Sequence, residues 1–319
     1  MTGLLWIAVL PVIVLLGYIY KKDIDKEPRG LLIRLFIFGG VSVIPIAFAE
    51  LAIADYVPGL YLPTFLGTFL TTFVSVGVIE ELGKWIFAYL CTYRRREYNH
   101  SYDGIVYCVF VSLGFACVEN ILYVFQHGFG TGILRAVLAV PGHAVDAVFM
   151  GYFLSKSKEF LVKRDGTNTL VNLFLSIMVP SIVHTIYDGL LFHSLSSNDT
   201  MYIIIFLIFV IVSYIISIAI VKSQSKILFN FDGSGATSQP FVPAPPRGQM
   251  QAPLTQYQPA VPMGSAPVAA MPTQTVVPTV QPVVQQPVQP QTLPHSFCYR
   301  CGSIFDGNKC SNCGFEINK

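Results

Sequence analysis

The sequence predicts an all-α polytopic membrane protein: a seven-helix transmembrane bundle, a disordered Pro/Gln-rich linker and a small zinc ribbon. Of its 319 residues, 53% are hydrophobic and only 12% are charged, whereas soluble domains carry about 25% charged residues. Four of the seven cysteines lie in the last 22 residues, which is typical of a metal-binding module. We expect three domains, at residues 1–226, 233–294 and 295–319.

Seven apolar runs are long enough to cross a bilayer, whose core of about 30 Å needs about 20 residues of helix. They lie at about 3–20, 31–54, 64–91, 104–126, 133–155, 169–193 and 201–221. The first run lacks the basic segment that precedes a cleaved signal peptide, and its positive charges follow it instead. We therefore interpret it as a retained helix.

The basic residues that flank these runs lie almost entirely on one side. The connections after spans one, three, five and seven carry thirteen lysines and arginines, and those after spans two, four and six have only Arg135. Cytoplasmic loops are enriched in lysine and arginine. The pattern predicts a multi-pass cell-membrane protein with its N-terminus outside and its C-terminus in the cytoplasm.

Residues 233–294 contain fourteen of the 21 prolines, among Gln, Val, Ala and Thr. Such a segment buries too little apolar surface to fold, which predicts a flexible tether, with a Pro-rich ligand for a partner as the alternative.

Residues 298–313 read CYRCGSIFDGNKCSNC, so Cys298, Cys301, Cys310 and Cys313 form two C-x2-C pairs. Four thiolates suit a closed structural zinc site. Two disulfides are the alternative, which a reducing cytoplasm disfavours. We expect this module to bind a cytoplasmic protein, and we expect no nucleic acid partner. Cys91, Cys108 and Cys117 lie within spans and are interpreted as small buried apolar residues.

Four consecutive spans carry ionisable residues at positions that would lie in hydrocarbon, where a charge costs at least about 2.5–3.5 kcal/mol. The set comprises Glu80, Glu81 and Lys84 in span three, Glu119 in span four, His143 and Asp146 in span five, and His184 and Asp188 in span six. At about 1.5 Å per helical residue, the glutamates and histidines lie in one layer between the midplane and the outer surface.

The spacing of these residues indicates acid–base chemistry. Two adjacent carboxylates resist joint ionisation, and Lys84 is close enough in helical register to neutralise them in part. His143 and Asp146 are spaced i,i+3, while His184 and Asp188 are spaced i,i+4. We therefore expect each histidine to have a carboxylate partner on its own helix. The set is predicted to hold and activate a water molecule, with or without a catalytic zinc. Glu50 and Asp55 are expected to be interfacial and solvated.

Three motifs in order resemble those of the PrsW family of intramembrane proteases, relatives of the CAAX-processing and bacteriocin-immunity proteases. They are Glu80-Glu81-x-x-Lys84, Phe115-x-x-x-Glu119 and His184-x-x-x-Asp188. KKDIDKEPRGLLIRLFIFGG and PGHAVDAVFMGYF resemble two further elements of that family, and the resemblance covers about residues 1–221.

The resemblance implies cleavage of membrane-anchored regulatory proteins, such as anti-sigma factors, near the outer membrane surface. It implies that Glu80 and Glu81 polarise or bind the attacking water, with His184 as a ligand or an oxyanion stabiliser. Glu119 stands where the CAAX relatives have histidine, which leaves both a metal-dependent and a glutamate-type mechanism open.

Two other classes of function are consistent with the sequence. Intramembrane carboxylates and histidines also serve as proton relays, so a proton- or ion-coupled transporter is one alternative. A membrane scaffold that recruits cytoplasmic partners through the zinc module is another. We find no convincing internal duplication of the kind that transporters often show.

Overall fold

The computed structural model describes residues 2–54, 64–197, 199–226, 231, 305–306 and 309–310. The helices are α1 (Thr2–Lys22), α2 (Arg29–Ala54), α3 (Phe65–Thr72), α4 (Val78–Thr92), α5 (Asp103–His127), α6 (Phe129–Val137), α7 (Ala139–Val162), α8 (Gly166–Ser197) and α9 (Thr200–Gln224). Within the described part of the chain, seven helical segments are long and apolar enough to cross a membrane, which confirms the predicted number.

Two of the seven segments are not single regular helices. In the third, a π-helical turn at Phe73–Gly77 joins α3 to α4 without a break in the helical path. In the fifth, α6 ends at Val137 and α7 begins at Ala139. A helix end leaves carbonyl groups without intrahelical partners. Here the hydroxyl of Tyr214 on α9 shares its one proton between the carbonyls of Val137 and Leu138, at 3.0 Å each, and the Leu138 carbonyl also accepts from the Gly142 N–H.

The α5 helix is the most deeply buried of the seven segments and packs against α1, α2, α4, α6 and α7. Its contact with α2 depends on small residues. A Cβ at Gly39 would lie 1.9 Å from the carbonyl oxygen of Val111, and a Cβ at Gly114 would lie 2.0 Å from that of Phe36. The two backbones therefore touch directly, which fixes α5 as the central helix.

The start of α4 is held equally closely to α8. Gly77 ends the π-helical turn, and a Cβ there would lie 2.2 Å from Oγ1 of Thr185. The Thr185 hydroxyl in turn donates to the carbonyl of Ser181, one turn earlier, at 2.6 Å. This contact sets the position of the polar first turn of α4 against α8.

The chain divides into two units, residues 1–238 and 239–319. In the second unit the structure describes two short antiparallel strands, β1 (Phe305–Asp306) and β2 (Lys309–Cys310), with Phe305 opposite Cys310. The predicted linker at 233–294, the ligands Cys298, Cys301 and Cys313, the Cys310 side chain and Asp55 lie outside the described residues. In the bundle, Cys108 and Cys117 are buried and Cys91 is partly buried, as predicted, and all three are free thiols.

Candidate active site

The first turns of α4 place three ionisable side chains in the interior of the bundle. Glu80, Glu81 and Lys84 are all buried, and Glu81 and Lys84 have no exposed surface. The ammonium nitrogen of Lys84 donates to Oε2 of Glu80 and to Oε1 of Glu81, at 2.8 Å each. One lysine thus bridges both carboxylates, which offsets the cost of burying two adjacent negative charges.

His184, on α8, lies against the same carboxylates. Its Nδ1 is 2.9 Å from Oε1 of Glu81 and 3.4 Å from Oδ2 of Asp146. Its Nε2 is 3.2 Å from Oδ2 of Asp188, one helical turn further along α8. The expected i,i+4 contact between His184 and Asp188 is therefore present in the structure. Carboxylates on both ring nitrogens fix the orientation of this imidazole.

His143, on α7, has a different carboxylate partner from the one expected. Its Nε2 is 2.9 Å from Oε2 of Glu119 on α5, and its Nδ1 is 3.2 Å from the ammonium of Lys84. The expectation that Asp146 would hold His143 is wrong. The two residues share a helix, but Asp146 contacts His184 across the interface with α8.

Two further side chains complete the cluster, and neither was expected there from the sequence. The ring of Phe115 lies 4.2 Å from the Lys84 ammonium and packs edge-on against the His143 ring. Arg135, on α6, forms an ion pair of 2.8 Å with Glu119. The sequence does mark Arg135 as unusual, because it is the one basic residue in the connections after spans two, four and six.

A cavity of about 680 Å³ opens beside this cluster, and its walls come from α2, α4, α5, α6, α7, α8 and α9. The glutamates and histidines that line it are Glu50, Glu80, Glu119, His143 and His184. Glu81 and Lys84 lie behind its wall. The cavity reaches residues near the C-terminal ends of α2, α5 and α8, such as Glu50, Gln126 and Leu195.

Glu50 is only partly exposed and so differs from the fully solvated residue that the sequence suggested. It lines the cavity, and its Oε1 atom is buried without a hydrogen-bond partner among the described residues. From the sequence alone, a carboxyl group near the end of a span is predicted to be interfacial. Its helix, α2, instead turns the face that carries Val43, Ile46, Ala47 and Glu50 towards the cavity.

Four residues of the cluster have the donor chemistry of a metal site. One ligand atom from each of Glu80, Glu81, His143 and His184 lies within 4.8 Å of the others, and all four residues are buried. Oε2 of Glu81 is buried with no hydrogen-bond partner among the described residues, so one oxygen is free to bind a cation. Imidazole and carboxylate ligands suit zinc. These residues therefore fit a divalent ion, although Lys84 contacts three of the four.

The fold and the cluster together define a class of protein: a multi-pass membrane protein whose ionisable groups meet at one buried centre. A family profile described as PrsW family intramembrane metalloprotease matches residues 27–215, which is more than half of the chain. The chain belongs to this family, and it is an intramembrane protease.

Named relatives agree with this assignment. The protease PrsW of Oceanobacillus iheyensis is 37% identical over 191 residues, or 60% of this chain and 84% of the relative. The protease PrsW of Bacillus subtilis is 38% identical over 203 residues, or 63% and 87% of the two chains. That of Clostridioides difficile is 30% identical over 191 residues, or 58% and 77%. No solved structure matches this chain.

Membership of this family favours the protease among the classes of function that the sequence allows. The chain is a protease, and its substrates are membrane proteins within a lipid bilayer. The family is one of metalloproteases, which agrees with the donor set around His143 and His184.

Proposed function

We propose that this protein cleaves membrane-anchored regulatory proteins, such as anti-sigma factors, at a peptide bond near the outer membrane face. The observation that carries this proposal is that Glu80, His143 and His184 line one cavity, while Glu81 lies fully buried behind them. A carboxylate and two imidazoles at one accessible surface can serve as the base and as the oxyanion stabiliser of peptide hydrolysis.

In the proposed reaction Glu80 is the general base, because it is the member of the glutamate pair that reaches the cavity. It takes a proton from water as the water oxygen attacks the carbonyl carbon of the scissile bond. The carbonyl electron pair moves onto oxygen, and His184 stabilises the negative charge that develops there. The proton held by Glu80 then passes to the amide nitrogen as the C–N bond breaks, which leaves a carboxylic acid and an amine.

The other buried groups act as positioning residues in this proposal. Glu81 and Asp146 hold Nδ1 of His184, and Asp188 holds its Nε2. Glu119 holds Nε2 of His143. Groups of this kind fix the tautomer and the direction of an imidazole, and their loss typically costs about 10–100-fold in activity or metal affinity.

A catalytic zinc site usually has three protein ligands and one open position. We propose that Glu81, His143 and His184 would hold a zinc ion, which leaves Glu80 as the base. His184 would then exchange one of its carboxylate contacts for the ion, and its part in stabilising the oxyanion would pass to the ion. When bound, the ion supplies a Lewis acid that polarises the carbonyl group and makes a bound water more acidic.

The proposed function is tested by comparing cells that express the wild type, Glu80→Gln, Glu81→Gln or His184→Ala. Quantitative proteomics of the membrane and the medium should detect extracytoplasmic fragments that only the wild type releases. Glu159→Gln is the matched control, since Glu159 is an ion-paired carboxylate remote from the cavity. Identical fragment sets from all strains would contradict the proposal.

We also propose that Cys298, Cys301, Cys310 and Cys313 bind a structural zinc ion. In this proposal the zinc module binds a cytoplasmic protein, and the tether at 233–294 joins the module to the membrane bundle. Metal analysis of the purified full-length protein separates the two sites. Cys298→Ser and Glu81→Gln should each remove one zinc per chain, and Cys298→Ser should retain cleavage. Unchanged zinc content in either variant would contradict the site that it tests.

A further inference from the structure

The carboxyl groups that line the cavity differ in one respect. The described residues that line the cavity include five with carboxyl groups: Glu50, Glu80, Glu119, Asp146 and Asp188. Four of these five have a basic partner within 4 Å, which is Lys84, Arg135 or His184. Glu50 has no such partner in the part of the chain that the structure describes, and its Oε1 atom is buried.

The surroundings of Glu50 make this lack of a partner costly. Its neighbours on the same face of α2 are Val43, Ile46 and Ala47, and all three line the cavity. A buried carboxyl oxygen without a hydrogen bond loses solvation that nothing in an apolar wall replaces. Arg135 is the one lysine or arginine among the described residues of the cavity wall, and Glu119 already pairs with it.

We propose that Glu50 binds the ammonium or guanidinium group of a lysine or arginine in the substrate. This inference rests on the proposed function, because it makes the cavity the site where a substrate segment binds. The cavity has the size of a typical ligand pocket, and Glu50 is the one of its five carboxyl groups without a basic partner among the described residues, so it is the group available to an incoming cation. Glu50 lies near the C-terminal end of α2, so this subsite is at the end of the bundle where Gln126 and Leu195 also line the cavity.

The test uses purified full-length protein in detergent micelles and a set of dye-labelled single-span peptides. The peptides share one apolar span and differ at a single residue beyond its outer end. That residue is Lys, Gln or Glu, and each of the three is placed in turn at several successive positions. Fluorescence anisotropy gives the Kd of each peptide. Because a hydrogen bond to a charged group contributes about 1.5–3 kcal/mol, we expect the best Lys peptide to bind about tenfold or more tightly than its Gln counterpart.

Three variants make the test specific. Glu50→Gln should equalise the Lys and Gln peptides, and Glu50→Lys should reverse the preference towards the Glu peptide. Glu97→Gln, which removes a half-exposed carboxylate from the connection between α4 and α5, should retain the wild-type preference. The inference is overturned if the wild type does not prefer Lys at any position, or if Glu50→Gln keeps that preference.

Mass spectrometry of the same samples separates this inference from the proposed function. If all peptides are cleaved and all bind with the same Kd, the role of Glu50 is overturned and the protease is supported. A Lys preference that depends on Glu50, without cleavage of any peptide, would support the subsite and count against the proposed reaction.

Discussion

Nε2 of His143 lies 2.9 Å from Oε2 of Glu119, and Nδ1 of the same ring lies 3.2 Å from the ammonium of Lys84. A carboxylate can only accept a hydrogen bond and an ammonium can only donate one. The neutral ring that satisfies both neighbours therefore carries its proton on Nε2 and its lone pair on Nδ1. The pair of contacts selects one tautomer and aims the lone pair at the centre of the cluster.

The first prediction concerns the carboxylate that selects this tautomer. Glu119→Leu should reduce kcat for a cleaved substrate about 10–100-fold, because His143 then loses the acceptor that orients it. Glu119→Gln should reduce kcat less, since its amide oxygen still accepts a hydrogen bond from Nε2 of His143. Rates measured on the purified protein check the ranking. Glu159→Gln should retain full activity, and equal loss in both Glu119 variants would contradict an orienting role.

The second prediction concerns the lysine that bridges the glutamate pair. Lys84→Met leaves two adjacent buried carboxylates without their shared cation, which typically costs about 3–5 kcal/mol of stability. We expect a clear decrease in Tm and a loss of cleavage. The double variant Glu81→Gln, Lys84→Met should recover part of the lost Tm, because one of the two uncompensated charges is gone.

Thermal unfolding in detergent of the two single variants and the double variant measures this coupling. Cleavage should stay lost in all three. If the two changes in Tm simply add, Lys84 and Glu81 do not interact in the folded protein, and the bridging role is refuted.

The transmembrane architecture could be predicted because it depends on the length of apolar runs. The predicted span at 104–126 corresponds to α5 at Asp103–His127, and the span at 64–91 to the continuous segment Phe65–Thr92. The break at Leu138 could not be predicted in this way, since an apolar run continues across it. What supports the break is a hydroxyl from Tyr214, far along the chain.

The glutamates and histidines of the cluster could likewise be predicted, but not the contacts of Phe115 and Arg135, nor the pairing. Helical spacing shows which residues share a face, and it correctly paired His184 with Asp188. It failed for His143, because the rotation of α7 against α5 and α8 decides which neighbour each side chain meets. The sequence also could not predict that Glu50 lines the cavity, because this depends on which face of α2 is turned towards it.

The third prediction tests the close approach of α4 and α8. Gly77→Ala places a methyl group 2.2 Å from Oγ1 of Thr185 and 2.9 Å from the carbonyl oxygen of Ser181. Such overpacking typically costs about 1–3 kcal/mol. Since Glu80 and Glu81 follow Gly77 by one turn, we expect cleavage to fall more steeply than Tm.

Gly17→Ala is the matched control for this variant, because nothing lies within 4 Å of a Cβ at Gly17. Thr185→Ala should restore part of the activity of Gly77→Ala, since it removes the nearer of the two clashing atoms. Wild-type activity in Gly77→Ala would show that the distance between α4 and α8 does not determine the geometry of the site.

The fourth prediction concerns Glu27, at the other end of the bundle in the connection between α1 and α2. This residue is buried, and its Oε2 accepts a hydrogen bond from the hydroxyl of Tyr107. Burial raises the pKa of Glu27 from 4.5 to about 8, and the negative charges of Asp23 and Asp25 add to the increase, while the Tyr107 hydrogen bond opposes it. The folded protein therefore keeps the Glu27 proton at pH values where the unfolded chain has lost it.

Between about pH 5 and pH 8 the folded state thus binds more protons than the unfolded state at Glu27, so stability decreases as the pH rises. Glu27→Gln removes the ionisable group and keeps an acceptor for Tyr107. We expect the Tm of the wild type to fall across this range, and that of Glu27→Gln to change much less, as measured by thermal unfolding in detergent. Glu159→Gln should follow the wild-type profile. A wild-type Tm that rises between these pH values, or a Glu27→Gln profile with the same slope, would show that Glu27 is ionised in the folded protein.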